Sequence, residues 1–484
     1  MYIVSQILNI CSKNFLLNNI CNKLKEKLDD FIEIFFNTTN QHRYSDIILS
    51  LQEISNQFIV SFLTNCMESI DNQFKNSIER KEKYYINKSN IERTIVTIFG
   101  TITFKRTLYQ DKITGEYYFY LDDVLNLECY KTYDPIVRGI LVNDSVNTSP
   151  NNASYYSSLN ILNLKNYLNT NVSSIPRQTV YRFKRETKIR KINYDLIPTD
   201  KTLYVMVDEK WIHQQDRDNP NNKKWIMAKC FVTFTGIERK GKRSRLIRKH
   251  NFITTSSTPW KDFANEIHQI YNFENIETIN LLSDAGSWIL SGKDEIKFYS
   301  NNKIIVNTCE FHVKQKINRS TTDKELRLKI ANIIYENEDK DTFIKEMDKL
   351  IDSKDSDKRK QKITEYKNYI LKHWKGIISM KYSSCKSSME AHIEHCIAST
   401  FSSIPKAYSK NNIEIYLKLQ ELKLNGINIL KYYLDTYNSN DDYVYNEKEV
   451  DFSILEKNLT SNVPIINSNC HYSKAFYSIA HSIY

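Results

Sequence analysis

The spacing of apolar positions changes character several times along the chain, and each change predicts a change of element. Up to about residue 90, apolar side chains recur at helical spacing: Ile20, Leu24, Leu28 and Ile32, then Ile47, Leu51, Ile54 and Phe58. A repeat of three to four residues lines one face of a helix, so this region reads as packed helices. From Thr94 to Tyr109 the pattern alternates with a period of two around Gly100, followed by Asp111–Gly115 and the aromatic run Tyr117–Tyr120. That is the form of a small antiparallel meander with glycine at its turns. Helical spacing then returns, with a polar helix over Asn152–Tyr167, a break at Asn169–Ser174, and a second helix through Arg185. Ser174 is suited to cap the second helix, with Pro176 in its first turn. On it Gln178, Arg182 and Arg185 share one face with Arg177 near the start, and Val180 and Phe183 share the other. Such a pair is either a helix-turn-helix that presents basic residues to a major groove or an ordinary helical linker.

The central block is organised around Lys201–Gln215. Leu203–Val207 is an unbroken apolar run that ends in Asp208 and Glu209, the mark of a buried strand delivering a carboxylate to a sheet edge. The run Ile279–Leu282 ends the same way, at Asp284, and is followed by Ala285, Gly286 and a helix from Ser287. Two acids at the ends of neighbouring strands are hard oxygen ligands of the kind Mg²⁺ takes. Between and after them the pattern predicts strands over Lys224–Thr235 and Leu246–Thr254, a helix over Pro259–Tyr271, and a strand over Lys303–Asn307 leading to Cys309, Glu310, Phe311 and His312. Three antiparallel strands followed by helix and parallel strand, with acids ending strands one and four, is the order of an RNase H-like fold, which needs a third acid on a later helix. Charged helices over Asp323–Asn337, Asp341–Leu350 and Asp357–Trp374 interrupt that order as an all-α insertion. Glu390 and Glu394 then follow one helical turn apart on one face, whereas His392 points off it.

Between the second and third strands, Arg239, Lys240, Lys242, Arg243, Arg245, Arg248 and Lys249 make seven basic residues in eleven. A strand connection beside the acids suits a phosphate grip, with a solvated tip as the alternative. The net charge of +11 fits a polyanionic partner. The nine cysteines are scattered with no CxxC pair, which argues against a zinc ribbon or disulfide framework and for a reducing cytosol. No apolar run of about 18 residues is evident, so no membrane span or membrane partner is expected. The N-terminus lacks a basic region and cleavage site of the secretory type. The resulting division is a multidomain α+β chain. It has helices over 1–90, a small β meander over 91–130, a helix-turn-helix-like region over 131–195, and an RNase H-like core over 196–319. An all-α insertion over 320–384 separates that core from its last part over 385–425, and a motif-poor tail follows over 426–484.

Taken together, several segments resemble bacterial insertion-sequence transposases of the ISLre-two family. They are Phe99–Tyr109 with Thr114–Tyr117, Arg177–Val180, Val207–Glu209, Ser283–Trp288, Phe311–His312, Ser388–His392 and Ser402–Pro405, in family order from about 70 to 430. The chain departs from the family pattern at Cys309, where an Asp is frequent, at Lys210 and Trp211, and at Ile404. The resemblance implies a DDE transposase with Asp208, Asp284 and Glu390 as catalytic and metal-ligating triad, Glu390 being preferred to Glu394 because it sits in the Ser-x-Glu-x-His match. It further implies two Mg²⁺ ions, with Mn²⁺ as a substitute, and double-stranded DNA as partner at transposon ends and target. At least a homodimer in a synaptic complex and a place at the nucleoid of the bacterial cytoplasm follow from the same likeness. His312 and Glu209 come second. His312 would touch the scissile phosphate or orient an acid, or be a core or capping histidine, and Glu209 could face away from the site. A DNA-binding protein without catalysis is the alternative.

Overall fold

The computed structural model describes residues 22, 24–30, 32–33, 44–148, 153, 175–215, 224–241, 243–299, 302–398, 401, 408–438 and 443–445. The long helix Tyr44–Asn76 and the short one Ile78–Lys83 lead into a three-stranded antiparallel sheet of β1 (Tyr84–Thr97), β2 (Gly100–Asp111) and β3 (Tyr117–Tyr118). β1 therefore starts ten residues before the alternation becomes clear, and β3 is only two residues long because Tyr120 already begins a helical turn over Tyr120–Val124. The β1–β2 turn places Gly100 at φ +125°, a conformation L side chains avoid. Ile102 and Phe104 point inward against Ile70 of the long helix and Leu121, and Phe74 stacks on Tyr120 with ring centroids 3.7 Å apart. Among the described residues one helix, Asp46–Asn76, is long and apolar enough to cross a membrane by length and composition alone, a test that the core helix of a globular protein also passes. That same helix supplies Cys66, Ile70 and Phe74 to buried positions, and Asp71 accepts a 2.7 Å hydrogen bond from the Thr107 hydroxyl.

The helices Pro135–Asn147 and Arg177–Glu186 pack together through Val137, Leu141, Val180 and Phe183. Their core is completed by Leu419, Leu422, Ile429 and Tyr432 from helices Lys410–Leu424 and Ile429–Asn438. The segment after 425 thus contains a packed helix. Short β4 (Lys191–Asn193) pairs in parallel with the distant strand Tyr443–Tyr445.

The central sheet contains β5 (Thr202–Gln214), β6 (Lys224–Phe234), β9 (His250–Thr254), β10 (Thr278–Ser283) and β11 (Lys303–Thr308), while β7 (Gly236–Lys240) and β8 (Arg243–Ile247) form a hairpin of their own. The order is β11-β10-β5-β6-β9, with β10 and β11 parallel to β5 and β6 antiparallel to both β5 and β9. The stretch expected to be a basic loop is the β7–β8 ribbon, and the strand expected over Leu246–Thr254 is split. Arg248 lies at φ +52° between β8 and β9, which breaks the extended run.

Both faces of the sheet are buried, which is why its strands read as continuous apolar runs. Leu203, Val205 and Val207 face helices Pro259–Ile270 and Ser287–Tyr299 through Phe263, Ile267 and Ile289. Tyr204 and Met206 face the opposite layer, which includes Met389, Ile393, Ile413 and Leu417. The helices Lys324–Asn332, Lys340–Asp352 and Asp357–Lys372 close a separate core around Ile330, Phe343, Met347 and Ile363, joined by Val313 and Ile317 of helix Glu310–Ser320. Asp323 and Asp339 cap two of these helices, each accepting from two backbone N–H groups. Helix Trp374–Lys381 then lies against β11 so closely that a Cβ on Gly376 would come within 2.5 Å of Thr308 Oγ1.

Candidate functional site

The register of the parallel strands brings the acids together. Val207 pairs with Ser283 and Ser283 with Thr308 as the last residues in line, so Asp208, Asp284 and Cys309 follow side by side at the same edge. Strand parity separates the two consecutive carboxylates of β5. Asp208 continues the Tyr204–Met206 face, towards the layer that holds Met389. Glu209 takes the other face, where its carboxylate accepts from the indole N–H groups of Trp288 and, at 3.3 Å, Trp211.

Asp208 is largely enclosed, and burial above all, then the charges of Asp284, Glu390 and Glu209, push its carboxyl up to about 7 despite a backbone hydrogen bond from Glu209. Asp284 is fixed by the sharp turn after β10. Its Oδ1 accepts from Gly286 N–H at 2.9 Å, Ala285 sits at φ +64°, and its carbonyl oxygen accepts from the Tyr369 hydroxyl at 2.5 Å.

Glu390 arrives from the other layer on helix Met389–Ile393, which continues as a π turn over Glu394–Ala398. Met389 and Ile393 anchor that helix in the core under β5, and the Ser388 N–H approaches the Met206 sulfur at 3.3 Å. Glu390 Oε1 lies 3.0 Å from His312 Nε2. Asp208, His312 and Glu390 each offer a ligand atom within 4.8 Å of the others. The Cys309 thiol beside His312 pushes the imidazole above its usual range, with Asp284 and Glu390 adding to the effect against the opposing pull of burial. Burial alone would raise Cys309 itself, but hydrogen bonds from the His312 side chain and the N–H groups of Phe311 and His312 carry it below its ordinary value.

Two carboxylates and an imidazole at this separation fit a divalent cation. The oxygens suit Mg²⁺, and the nitrogen is accepted readily by Mn²⁺ and later first-row ions. Burial and the neighbouring carboxylates disfavour the charged form of Asp208, and a cation bound there would offset that penalty.

Two neighbours of the acids escaped the sequence reading. Lys316, one turn after His312 on helix Glu310–Ser320, lies with its ammonium 4.1 Å from the Tyr369 ring centroid, and burial lowers its pKa while the charge of Asp284 opposes that shift. The i, i+4 spacing from His312 was the available signal. Tyr369 comes from the helical insertion and carried no local signal.

The residues expected to meet DNA lie on two surfaces. Arg177, Gln178, Arg182 and Arg185 are exposed on helix Arg177–Glu186, whose opposite face buries Val180 and Phe183. Pro176 holds the cap position there; Ser174 and, apart from Ala153, the expected helix Asn152–Tyr167 lie outside the described residues. Arg239, Lys240 and Arg245 are exposed on the β7–β8 hairpin, while Lys242 and the side chain of Arg243 lie outside the described residues.

The profile of an uncharacterised protein family (UPF0236) matches residues 38–435. A UPF0236 protein of Caldanaerobacter subterraneus subsp. tengcongensis is 26% identical over 406 residues, covering 82% of each chain. A UPF0236 protein encoded in the vanSb 3′ region of Streptococcus gallolyticus is 24% identical over 361 residues, covering 71% of this chain and 73% of that one. Among solved structures, the Drosophila P element transposase strand transfer complex aligns at a TM-score of 0.24 with 11% identity, covering 71% of this chain and 88% of that one. That score is too low to establish a shared fold.

Proposed function

The chain belongs to the uncharacterised protein family UPF0236, and we propose that it is a DNA transposase of the ISLre-two type that cleaves transposon ends and joins them to target DNA. The observation that carries this reading is the cluster of Asp208, His312 and Glu390, with Asp284 at the end of the neighbouring strand, where its charge acts on Asp208. Asp208 lies within β5 just past the point where its parallel pairing with β10 stops, Asp284 directly follows β10, and Glu390 comes from a helix on the Asp208 face, with His312 against it. The strand order and directions of the central sheet support an RNase H-like core, with the helices of 324–381 as an insertion between the second and third acids.

Two divalent ions held by Asp208, Asp284 and Glu390, Mg²⁺ or Mn²⁺, would supply Lewis-acid activation of a water or 3′-hydroxyl and stabilise the leaving 3′-oxygen. The chain's own groups prepare that site. Asp208 must lose its proton to serve as ligand, and burial with the charges of Asp284, Glu390 and Glu209 opposes that loss until a cation binds. His312 fixes the Glu390 carboxylate at 3.0 Å. The Tyr369 hydroxyl and Gly286 N–H lock the Asp284 turn so that its carboxylate needs little reorganisation. Displacement at phosphorus by water or a DNA hydroxyl needs no covalent intermediate with the protein, in keeping with a site built of acids. Exposed basic residues at 177–185 and on the β7–β8 hairpin would supply the phosphate contacts that hold DNA across it. Joining two ends would call for a homodimer or larger synaptic complex.

The test is strand cleavage and joining on DNA carrying the native element ends in Mg²⁺, comparing wild type with Asp284→Ala. End-specific nicking and strand transfer, both lost in the variant while DNA binding survives, support the reading. Specific binding with no cleavage in Mg²⁺ or Mn²⁺ would make the protein a DNA-binding factor. Cleavage without end specificity or joining would make it a nuclease.

A further inference from the structure

The backbone ladder between β5 and β10 stops one residue short of the acids. Val207–Ser283 is its last pair, so Asp208 and Asp284 follow with no further pairing between their strands, while the charge of Asp284 works against an ionised Asp208. Two carboxylates that repel need something else to fix their separation. Glu209 is the residue that reaches both. Its backbone N–H donates to Asp208 Oδ1 at 2.8 Å. Its side chain lies on the other face of the sheet, where Oε2 accepts from the Trp288 indole N–H and Oε1 from that of Trp211 at 3.3 Å. Trp288 stands four residues past Asp284, in the first turn of helix Ser287–Tyr299. It is anchored in turn, its carbonyl oxygen accepting from the buried Trp260 indole at 3.0 Å and its ring meeting Phe231 of β6 edge-on at 6.1 Å between centroids. Only the sharp turn through Ala285, at φ +64°, and Gly286 and Ser287 separate it from Asp284, so a fixed Trp288 limits where that acid can go.

We propose that Glu209 is a positioning residue, which by holding Trp288 sets Asp284 against Asp208 and so pre-forms the acids for a divalent cation. The inference rests on the reading of those acids as a cation site. Both Glu209 oxygens are taken by indole N–H groups, on the sheet face opposite the layer that brings Glu390. The carboxylate is therefore a brace and not a ligand. A hydrogen bond to an ionised acceptor is among the stronger ones available to a protein, and partners that orient metal ligands govern affinity even though they never touch the ion.

The experiment titrates Mn²⁺ into the full chain, freed of metal with EDTA, and follows binding by calorimetry at a temperature where thermal unfolding shows each variant folded. Trp288→Phe removes the N–H and keeps a ring, Glu209→Ala removes the acceptor, and Glu209→Gln keeps a carbonyl oxygen in its place. Glu209→Ala and Trp288→Phe should each weaken Mn²⁺ affinity about tenfold or more. The double variant should be no worse than the poorer single within about threefold, and Glu209→Gln should stay within about threefold of wild type. The two Glu209 variants decide the matter by themselves if Trp288→Phe does not fold. Equal losses in Glu209→Gln and Glu209→Ala would make Glu209 a ligand and overturn the brace, and so would unchanged affinity in Glu209→Ala. Either result leaves the transposase reading intact. The expected Mn²⁺ pattern in a protein that neither cleaves nor joins its element ends would sink the transposase reading and keep the brace. No Mn²⁺ binding by the wild type would overturn both.

Discussion

Replacing Asp208 by Asn should stabilise the metal-free protein, by an amount that grows as the pH rises from about 4 to about 7. The Asp208 carboxyl is pushed up to about 7 from an ordinary 3.8, first by burial and then by the charges of Asp284, Glu390 and Glu209. Because the folded-state value is the higher one, the native state binds more protons than the unfolded chain between about pH 4 and 7. The associated stability is complete below pH 4 and is lost as the pH rises through 7. A displacement of about 3 pH units at about 1.4 kcal/mol each sets an upper bound of ~4 kcal/mol. Residual solvent contact and relaxation of the neighbouring carboxylates bring a realistic figure nearer ~2 kcal/mol. Asn cannot ionise, and its Oδ1 still accepts the 2.8 Å hydrogen bond that Glu209 N–H makes to Asp208. Unfolding in EDTA, followed across the range from about pH 4 to 8.5, should show the two proteins alike at the acid end and an advantage for Asp208→Asn that widens up to about pH 7 and stays level above it. Added Mn²⁺ or Mg²⁺ should narrow or reverse that advantage, since an ion that binds only the native wild type stabilises it by mass action. A gap independent of pH, or a variant less stable than wild type at the alkaline end, would refute the electrostatic account of the site.

Three further substitutions test other parts of the structure. Glu421 is fully buried, with its Oε2 accepting from Ile253 N–H at 2.7 Å and Lys418 as its cation. Lys418→Met should therefore cost about 3–5 kcal/mol, read as a lowered unfolding midpoint, and adding Glu421→Gln should recover much of it. A Cβ on Gly292 would sit 1.8 Å from Trp260 Cε2, so Gly292→Ala should destabilise by at least about 1–3 kcal/mol and shift tryptophan fluorescence. Tyr369→Phe removes the hydroxyl that donates to the Asp284 carbonyl. A loss of about 1 kcal/mol of positioning should slow cleavage up to roughly tenfold with DNA affinity unchanged.

The parts of this molecule that could be read from sequence are those whose burial is written into a local pattern. β5 and β10 were legible because a sheet covered on both faces leaves its strands continuously apolar, and an acid at the end of such a run stands out. Strand parity even contains the distinction between Asp208 and Glu209, but it becomes useful only once the face carrying Met389 is known. The β7–β8 ribbon was missed because half the residues of its short strands, Gly236–Lys240 and Arg243–Ile247, are charged and the strands are held by backbone pairing, which leaves no clear apolar alternation to see. Helix Ile429–Asn438 was hidden in an Asn- and Tyr-rich segment, although Ile429, Tyr432 and Tyr433 are buried at helical spacing. Glu390 sits on a five-residue helix, too short for periodicity to single out, so the resemblance located it.

The site's geometry depends on the insertion more directly than its place in the chain suggests. His312 and Glu390 are 3.0 Å apart, yet between them the chain makes the excursion through the helices of 324–381. Closing a loop of that length costs only slightly more than closing a short one, because the entropy grows with the logarithm of length. The insertion does more than close the loop, however. Helix Glu310–Ser320, which carries His312 and Lys316, buries Val313 and Ile317 in the insertion's own core. Tyr369 reaches from that core to the Asp284 turn, and Gly376 lets the next helix lie directly on β11, level with the strand end that leads to Cys309. One face of the acid cluster is therefore built on the sheet and another on the insertion, and a rigid relation between the two is what keeps His312 against Glu390.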